Sequence, residues 1–225
     1  MRTLLLLGGA AAAAAAAAAA YHWHSKRKHI VVVACVGDSI TAGFWQPPED
    51  LWPSKLQASL GQQFIVHNLG KAGHTAQREG DQSYWATEEW RRAKELQADM
   101  NIVMLGTNDA KSFNWDEQRY ERDMRSLLAE LRARPSQPPQ MLLMTPPPVY
   151  QDGQFDIRAE VVNHKLSELI PKLAVSEGCA HVDLNKAFRQ GGSASFFSDG
   201  VHPTAQGHTL IAEVVHRHVL QAGRP

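Results

Sequence analysis

Two stretches of the chain, far apart in sequence, have residue types and spacing suited to nucleophilic catalysis. Ser39 comes directly after Gly37 and Asp38, and its hydroxyl becomes a good nucleophile only when a base removes its proton. Asp199 and His202 are three residues apart, so the carboxylate can hold one imidazole nitrogen while the other nitrogen faces a hydroxyl. Taken alone, Ser39 is more typical of a helix N-cap and Asp199 of a turn.

Two further stretches can provide hydrogen-bond donors. Gly70 and Gly73 are three residues apart, which allows a tight turn that presents a backbone N–H group to a ligand. The side-chain amide of Asn108 can donate to a developing negative charge without carrying a charge itself. Each also has a simpler interpretation, because most glycine pairs form ordinary turns and an asparagine here can form an Asx turn. The four stretches together form a stronger pattern than any one of them.

Short apolar runs precede Ser39, Gly73 and Asn108, and two more occur later in the chain. The first run, IVVVACV, has no polar gap and is typical of a strand buried on both faces. The predicted strands cover residues 30–36, 64–68, 101–105, 141–144 and 180–184. Chemistry in open parallel sheets gathers at the carboxyl ends of the strands, and three of the four stretches stand there. The fourth, which contains His202, comes just before the last predicted helix.

Segments with apolar residues at helical spacing separate these strands. The predicted helices cover residues 52–60, 87–97, 116–134, 157–176 and 205–220. Strands that alternate with helices imply right-handed parallel crossovers. The sequence therefore predicts an α/β fold, a three-layer α/β/α sandwich around a five-stranded parallel sheet.

The four stretches match, in order, the sequence blocks of a known superfamily. In this chain the blocks are Gly37-Asp38-Ser39, Gly73, Asn108 and Asp199-x-x-His202. With them the chain resembles the SGNH (GDSL) hydrolases, whose blocks carry Ser, Gly, Asn and His, over about residues 30 to 220. The resemblance implies a flavodoxin-like version of the predicted fold. Ser39 is not in a Gly-x-Ser-x-Gly setting, which disfavours the nucleophile-elbow α/β-hydrolases.

The resemblance also implies a role for each matched residue. Ser39 would be the nucleophile, His202 the general base and then the general acid, and Asp199 the group that orients His202. The backbone N–H groups of Ser39 and Gly73 and the amide of Asn108 would form the oxyanion hole. No metal or organic cofactor is implied. A histidine follows Gly73 where the superfamily often has an aspartate, which leaves the neighbouring hydrogen bonds open.

A finer resemblance concerns the substrate. The motifs that carry it are Tyr84-Trp85, Glu89-Trp90, residues 106–111 with Asn114-Trp115, and residues 145–150. They look like the carbohydrate acetylesterase branch, which includes sialate and xylan O-acetylesterase-like proteins. Trp45 and Trp115 follow the serine and asparagine loops and are candidates to stack on a sugar. Packing in the core or at the rim is the equal alternative for either tryptophan.

The implied function is a serine esterase that removes small acyl groups, acetate foremost, from carbohydrate hydroxyls through an acyl-enzyme. Its partner would be a small-molecule or carbohydrate ester. Within enzymes, a lysophospholipase or acyl-thioester hydrolase on the same scaffold is the alternative. A catalytically silent ligand-binding domain is the alternative from another class, and the intact Ser39, Asp199 and His202 disfavour it.

Composition excludes several other classes of protein. The chain has 225 residues, 44% of them hydrophobic and 20% charged, with 23 basic and 23 acidic side chains. This length fits one domain, or one domain with a tail. Two cysteines are too few for a disulfide scaffold or a cysteine-rich metal site. Residues 1–28 hold four basic residues and no acid, so the remainder has a formal charge of −4 and is not expected to bind nucleic acid.

The first 28 residues form a separate N-terminal tail. Residues 3–23 combine four leucines, an alanine tract and the aromatic residues Tyr21 and Trp23, which suits association with a membrane. A cleaved signal peptide, a membrane anchor, an organelle transit peptide and an alanine tract without targeting function are all open interpretations. The sequence thus predicts a signal or anchor tail over 1–28, a hydrolase domain over 29–225, and secretion or membrane anchoring. It does not predict an oligomeric state.

Overall fold

The computed structural model describes residues 30–133 and 137–222. The tail predicted over 1–28, together with its targeting role, lies outside the described residues. Within the described ranges, no helix has both the length and the apolar character that crossing a membrane requires.

Five parallel strands form one sheet in the order β2-β1-β3-β4-β5. Their bounds are Val31–Gly37 (β1), Phe64–Gly70 (β2), Met100–Met104 (β3), Gln140–Thr145 (β4) and Ala180–Asp183 (β5). The order reverses at β1, because β2 adds to one side of it and the later strands to the other. Ligands of such sheets bind at the carboxyl ends of the strands, next to the reversal point. The predicted parallel sheet is confirmed.

Helices cover both faces of the sheet. The described residues contain α1 (Ser39–Ala42), α2 (Trp52–Leu60), α3 (Glu88–Leu96), α4 (Glu117–Arg132), α5 (Ser167–Ser176), α6 (Leu184–Gly191) and α7 (Ala205–Ala222). Side chains of α3, α4 and α5 pack in one hydrophobic core, and side chains of α2, α6 and α7 pack in a second. Successive β1 residues alternate between the two, with Ala34 in the first core and Cys35 in the second. The sheet therefore separates two cores, as the predicted three-layer sandwich requires.

The helix predicted over 157–176 is wrong at its beginning. Ile157 lies in an isolated β-bridge with Lys111 instead. A π-helical segment, Val161–Leu166, comes next, and α5 begins at Ser167. Apolar spacing along the chain extends through the bridge and the helix alike, so periodicity alone does not locate the start of the helix.

The helix α6 is absent from the sequence-based prediction, which ends a strand at Leu184. Asp183 is the N-cap of this helix, and its carboxylate accepts the N–H of Lys186 at 2.8 Å. The cap ends β5 one residue earlier than predicted. Leu184 and Phe188 then point into the second core.

One side chain covers part of the outer edge of β2. The side-chain oxygen of Gln57 accepts the N–H of Val66 at 2.7 Å, and its amide donates to the carbonyl of Phe64 at 3.0 Å. These two backbone groups are the ones that a further strand would use. Gln57 thus takes the place of a neighbouring strand for these two backbone groups.

Candidate active site

Ser39 lies at the carboxyl end of β1 and is the first residue of α1. The strand ends at Gly37, where a Cβ atom would lie only 2.9 Å from the carbonyl oxygen of Met104, so the close approach of β3 requires a glycine. The Asp38 carboxylate then accepts the N–H of Ile40 at 3.0 Å and caps the short helix. These local features fix Ser39 next to the point where the strand order reverses.

Asp199, His202 and Ser39 form a chain of hydrogen bonds. Nε2 of His202 lies 2.9 Å from Oγ of Ser39, and Nδ1 lies 2.7 Å from Oδ2 of Asp199. The other carboxylate oxygen of Asp199 accepts the backbone N–H groups of Val201 at 2.9 Å and of His202 at 2.7 Å. Both Ser39 and His202 are 6% exposed. In this geometry the carboxylate can keep the proton on Nδ1, so that Nε2 can accept the proton of Ser39.

The surroundings of Asp199 favour its ionised form. Burial raises the pKa of this carboxyl, but hydrogen bonds from the backbone and ring of His202 and from the N–H of Val201 together hold the pKa below its ordinary value. An ionised carboxylate at this place stabilises a positive charge on the imidazole.

Gly73 and Asn108 line the same pocket as Ser39. Gly73 has a φ of 83°, and a Cβ there would lie 2.8 Å from a side-chain oxygen of Gln82, so this position favours glycine. The Asn108 amide donates to the carbonyl of His74 at 3.2 Å, which fixes its orientation. The hydrogen bonds that the sequence left open beside Gly73 thus involve the backbone of His74, whose ring nitrogen Nδ1 lies 2.8 Å from the Ala72 carbonyl.

Two buried carboxyl groups hold the loops that carry these residues. Asp109 accepts the N–H groups of Ala76 at 2.9 Å and Gln77 at 2.8 Å, which ties the loop after β2 to the loop after β3. Burial raises the pKa of Asp109 to about 6 and that of Asp38 to about 7. Neither side chain is exposed. Both carboxyl groups therefore stabilise the loops of the site through buried hydrogen bonds.

The pocket has a volume of about 330 Å³. Besides Ser39, Gly73, Asn108 and His202, its lining consists of Phe44, Ala72, Asp81, Lys111, Phe113, Phe155, Asp156 and Ile157. Phe44 and Phe155 flank the imidazole of His202, with ring centroids 4.3 Å and 5.2 Å from it. Apolar neighbours lower the local dielectric and so strengthen the hydrogen bonds of Ser39 and His202.

A metal site requires a group of metal-ligating side chains placed close together. Within residues 30–133 and 137–222, no group of three or more His, Cys, Asp or Glu side chains is placed to hold a metal ion.

The two tryptophans that were candidates to stack on a sugar lie outside the lining of this pocket. Trp45 is 77% exposed, and its ring contacts Phe44 of the pocket wall with centroids 4.8 Å apart. Trp115 is half-buried and packs against the first core, 5.8 Å from the ring of Tyr120. The placement of Trp115 corresponds to the packing alternative. Stacking by Trp45 stays a prediction.

Several lining residues are absent from the sequence-based set of site residues. Lys111 ends the motif of residues 106–111 that carries the finer resemblance, but that resemblance gives it no role of its own. Phe155 lies in a distant loop that backbone hydrogen bonds attach to this one, from Ser112 to Asp156 at 3.0 Å and from Arg158 to the Ala110 carbonyl at 3.1 Å. No local pattern encodes that contact.

A curated relative has a related sequence over most of this chain. The chain is 27% identical over 208 residues to a protein named acetylxylan esterase from Xylanibacter ruminicola. The match covers 84% of this chain and 43% of that protein, so the chain spans less than half the length of its relative.

Solved structures share the fold. A carbohydrate acetylesterase from Sinorhizobium meliloti matches with a TM-score of 0.72 and 22% identity, over 85% of this chain and 99% of the other. The aryl esterase of M. smegmatis matches with a TM-score of 0.71 and 20% identity, over 85% and 99% of the two chains. At these identities the likeness concerns the fold.

A family model establishes the relationship at the level of sequence. The model of the GDSL-like lipase/acylhydrolase family matches residues 35–210. That range contains the serine, glycine, asparagine and histidine blocks from Ser39 to His202. The resemblance to SGNH (GDSL) hydrolases is therefore confirmed, and the chain belongs to the GDSL-like lipase/acylhydrolase family.

Proposed function

We propose that the chain is a serine esterase that removes small acyl groups, acetyl foremost, from carbohydrate hydroxyls. The hydrogen-bond chain from Asp199 through His202 to Ser39 carries the proposal, because it gives a hydroxyl the base that it needs. Membership of an acylhydrolase family supports ester cleavage. The 27%-identical relative, named for an acetylated polysaccharide, supports the acetyl group and the sugar.

Acylation of the enzyme begins with proton transfer from Ser39 to Nε2 of His202. Oγ of Ser39 attacks the ester carbonyl carbon, and the carbonyl π electrons move to oxygen. The backbone N–H groups of Ser39 and Gly73 and the Asn108 amide donate to this oxyanion. Asp199 stabilises the positive imidazole. The intermediate then collapses, the bond to the alcohol breaks, and His202 gives its proton to the departing alkoxide.

Deacylation repeats these steps with water. His202 accepts a proton from a water molecule, whose oxygen attacks the acyl carbon, and the same donors stabilise the second oxyanion. Ser39 leaves with the proton from His202. The products are the carboxylic acid and the regenerated serine. The original proton of Ser39 has left with the alcohol, and a proton from the water molecule takes its place.

Covalent labelling tests the nucleophile. We expect a fluorophosphonate probe to label the wild-type chain stoichiometrically at Ser39, and Ser39→Ala to abolish both labelling and hydrolysis of p-nitrophenyl acetate. Ser59→Ala is the matched control, since the Ser59 hydroxyl donates to the Leu56 carbonyl of its own helix. A folded wild-type chain that takes up no probe would favour the silent ligand-binding domain.

The length of the acyl group separates the esterase from its alternative within enzymes. We expect kcat/KM to be higher for p-nitrophenyl acetate than for p-nitrophenyl octanoate. A strong preference for the octanoate would instead support a lysophospholipase or acyl-thioester hydrolase.

The division of the chain and its destination are part of the proposal. Residues 29–225 form the hydrolase domain, and residues 1–28 direct it to export or to a membrane. Fractionation of cells that produce residues 1–225 or 29–225 tests this role. Identical distributions of the two chains between cytosol, membrane and medium would contradict it.

A further inference from the structure

An ion pair in the pocket has no part in the steps described above. Nζ of Lys111 lies 2.8 Å from Oδ2 of Asp81, and both residues line the pocket with Ser39 and His202. The two side chains are 11% and 29% exposed, so the pair is partly desolvated. A partly buried ion pair contributes little net stability, because removal of water from the charges offsets their attraction. A binding role explains its place better than a stabilising one.

The pair is held rigidly and is tied to the proposed oxyanion hole. The Asn114 amide donates to Oδ1 of Asp81 at 2.7 Å, and the Asn114 side-chain oxygen accepts the Asp81 N–H at 3.0 Å. The same amide donates to the Asn108 carbonyl at 3.0 Å. Asn114 is itself 5% exposed. Ligand-binding groups that are positioned in this way lose little freedom on binding.

A sugar hydroxyl fits the hydrogen-bonding capacity of this pair. A hydroxyl both donates and accepts, so it can donate to the Asp81 carboxylate and accept from the Lys111 ammonium, which has three N–H groups. Burial raises the pKa of Asp81, but the hydrogen bonds from Lys111 and Asn114 hold it below its ordinary value, so the carboxylate is an acceptor.

Apolar surface stands next to this polar pair. Phe113 and Phe155 line the pocket and are 59% and 44% exposed. Phe155 has a φ of 57°, in the left-handed region that bulky residues rarely adopt, and such strain concentrates at functional sites. A sugar ring presents hydroxyls at its edge and C–H groups on its faces. The combination of an ion pair and exposed rings therefore suits both parts of a sugar.

The charges of the lining favour a neutral sugar. The lining contains the carboxylates of Asp81 and Asp156 and one cationic side chain of the lysine or arginine type, Lys111. A carboxylate on the sugar would meet these two like charges and one opposite charge, so it would be repelled more than attracted. We propose that Asp81 and Lys111 bind the hydroxyls of the alcohol half of the ester, and that this alcohol is a neutral sugar rather than a sugar acid. The inference rests on the proposed function and specifies its substrate.

The test compares two alcohols that carry the same acetyl group. For each variant, kcat/KM is measured with an acetylated methyl xyloside and with p-nitrophenyl acetate, whose alcohol has no sugar hydroxyls. We expect the ratio of the two values to fall about 10- to 100-fold in Lys111→Met and in Asp81→Asn, the range for a lost hydrogen bond to a charged group. Lys55→Met, which breaks an ion pair with Asp50 outside the pocket, should leave the ratio unchanged.

The outcomes separate this inference from the proposed function. A wild-type chain that hydrolyses neither ester overturns the proposed function. Hydrolysis of both esters, with the wild-type ratio retained in Lys111→Met and Asp81→Asn, overturns the ion-pair site alone. Asp81→Asn is nearly isosteric, so it decides the question even if Lys111→Met does not fold. A wild-type preference for an acetylated methyl glucuronide over the xyloside would overturn the choice of a neutral sugar.

Discussion

Acid should destabilise the folded chain through His208, a buried histidine of α7 outside the pocket. His208 is 1% exposed, and its Nδ1 accepts the backbone N–H of Trp52 at the start of α2, at 3.2 Å. Burial lowers the pKa of His208 to about 4, and the charge of Lys55 acts in the same direction. A proton on Nδ1 would remove the acceptor for Trp52 and place a charge in the second core. The folded state therefore resists protonation.

The size of the effect follows from the two pKa values. As pH falls, the unfolded chain binds this proton at its ordinary pKa of 6.5, whereas the folded chain binds it only near a pKa of about 4. Stability is thus present above pH about 6.5 and is lost as pH falls toward 4. With 1.36 kcal/mol for each pKa unit, the total loss is about 3 kcal/mol, of which about 2 kcal/mol is lost by pH 5.

Two carboxyl groups change the stability with pH in the opposite direction. The experiment therefore compares the pH dependence of the wild-type chain with that of a His208 variant. The raised pKa values of Asp38 and Asp109 stabilise the fold in acid, and that contribution is lost as pH rises through about 6 to 7. His208→Asn keeps an acceptor for Trp52 and removes the titrating ring. Urea unfolding near pH 7.5 and near pH 5, followed by tryptophan fluorescence, should show about 2 kcal/mol less acid destabilisation in the variant. Equal pH dependence in both proteins would refute the reasoning.

Three substitutions in the candidate site test its hydrogen bonds. Asn108→Ala should lower kcat for p-nitrophenyl acetate about 10²- to 10³-fold through loss of an oxyanion donor, with fluorophosphonate labelling retained; an unchanged kcat would remove Asn108 from the oxyanion hole. Asp199→Asn should lower kcat by up to about 10⁴-fold because the ring of His202 loses its orienting carboxylate, and a loss below tenfold would argue against that role. Gly73→Ala should lower kcat and the urea midpoint together, since a Cβ at φ 83° meets Gln82. Wild-type values of both would contradict the requirement for glycine.

The sheet could be predicted from the sequence because burial of a strand on both faces produces a recognisable sequence pattern. Strands such as β1 and β3 are covered by helices on either side, and their sequences are continuous apolar runs. The order of the four sequence blocks indicated that three of them follow strands and that the fourth, with Asp199 and His202, precedes the last helix. The structure then brings Ser39, His202 and Asp199 within hydrogen-bond distance, and the roles of these residues are what the kinetic experiments address.

The parts that escaped prediction depend on contacts between distant segments. Asp81 contacts Lys111, which is 30 residues further along the chain, and α3 and β3 lie between the two loops that hold them. Phe155 contacts His202 from a loop that backbone hydrogen bonds attach to the Asn108 loop. The short helix α6 is defined by one capping carboxylate, Asp183, at the end of a four-residue strand. Patterns within a single window cannot carry such information.

The side chain of Gln57, a residue of α2 that bonds to the outer edge of β2, affects the behaviour of the chain at high concentration. An uncovered sheet margin can recruit extended segments of other molecules, and growth of this kind leads to aggregates. Here two backbone groups of Phe64 and Val66 are already bonded to the glutamine, although Ile65 between them is exposed. A single polar side chain thereby blocks the pairing of another strand at these two groups. Because Gln57 belongs to α2, this protection against aggregation depends on α2 remaining folded.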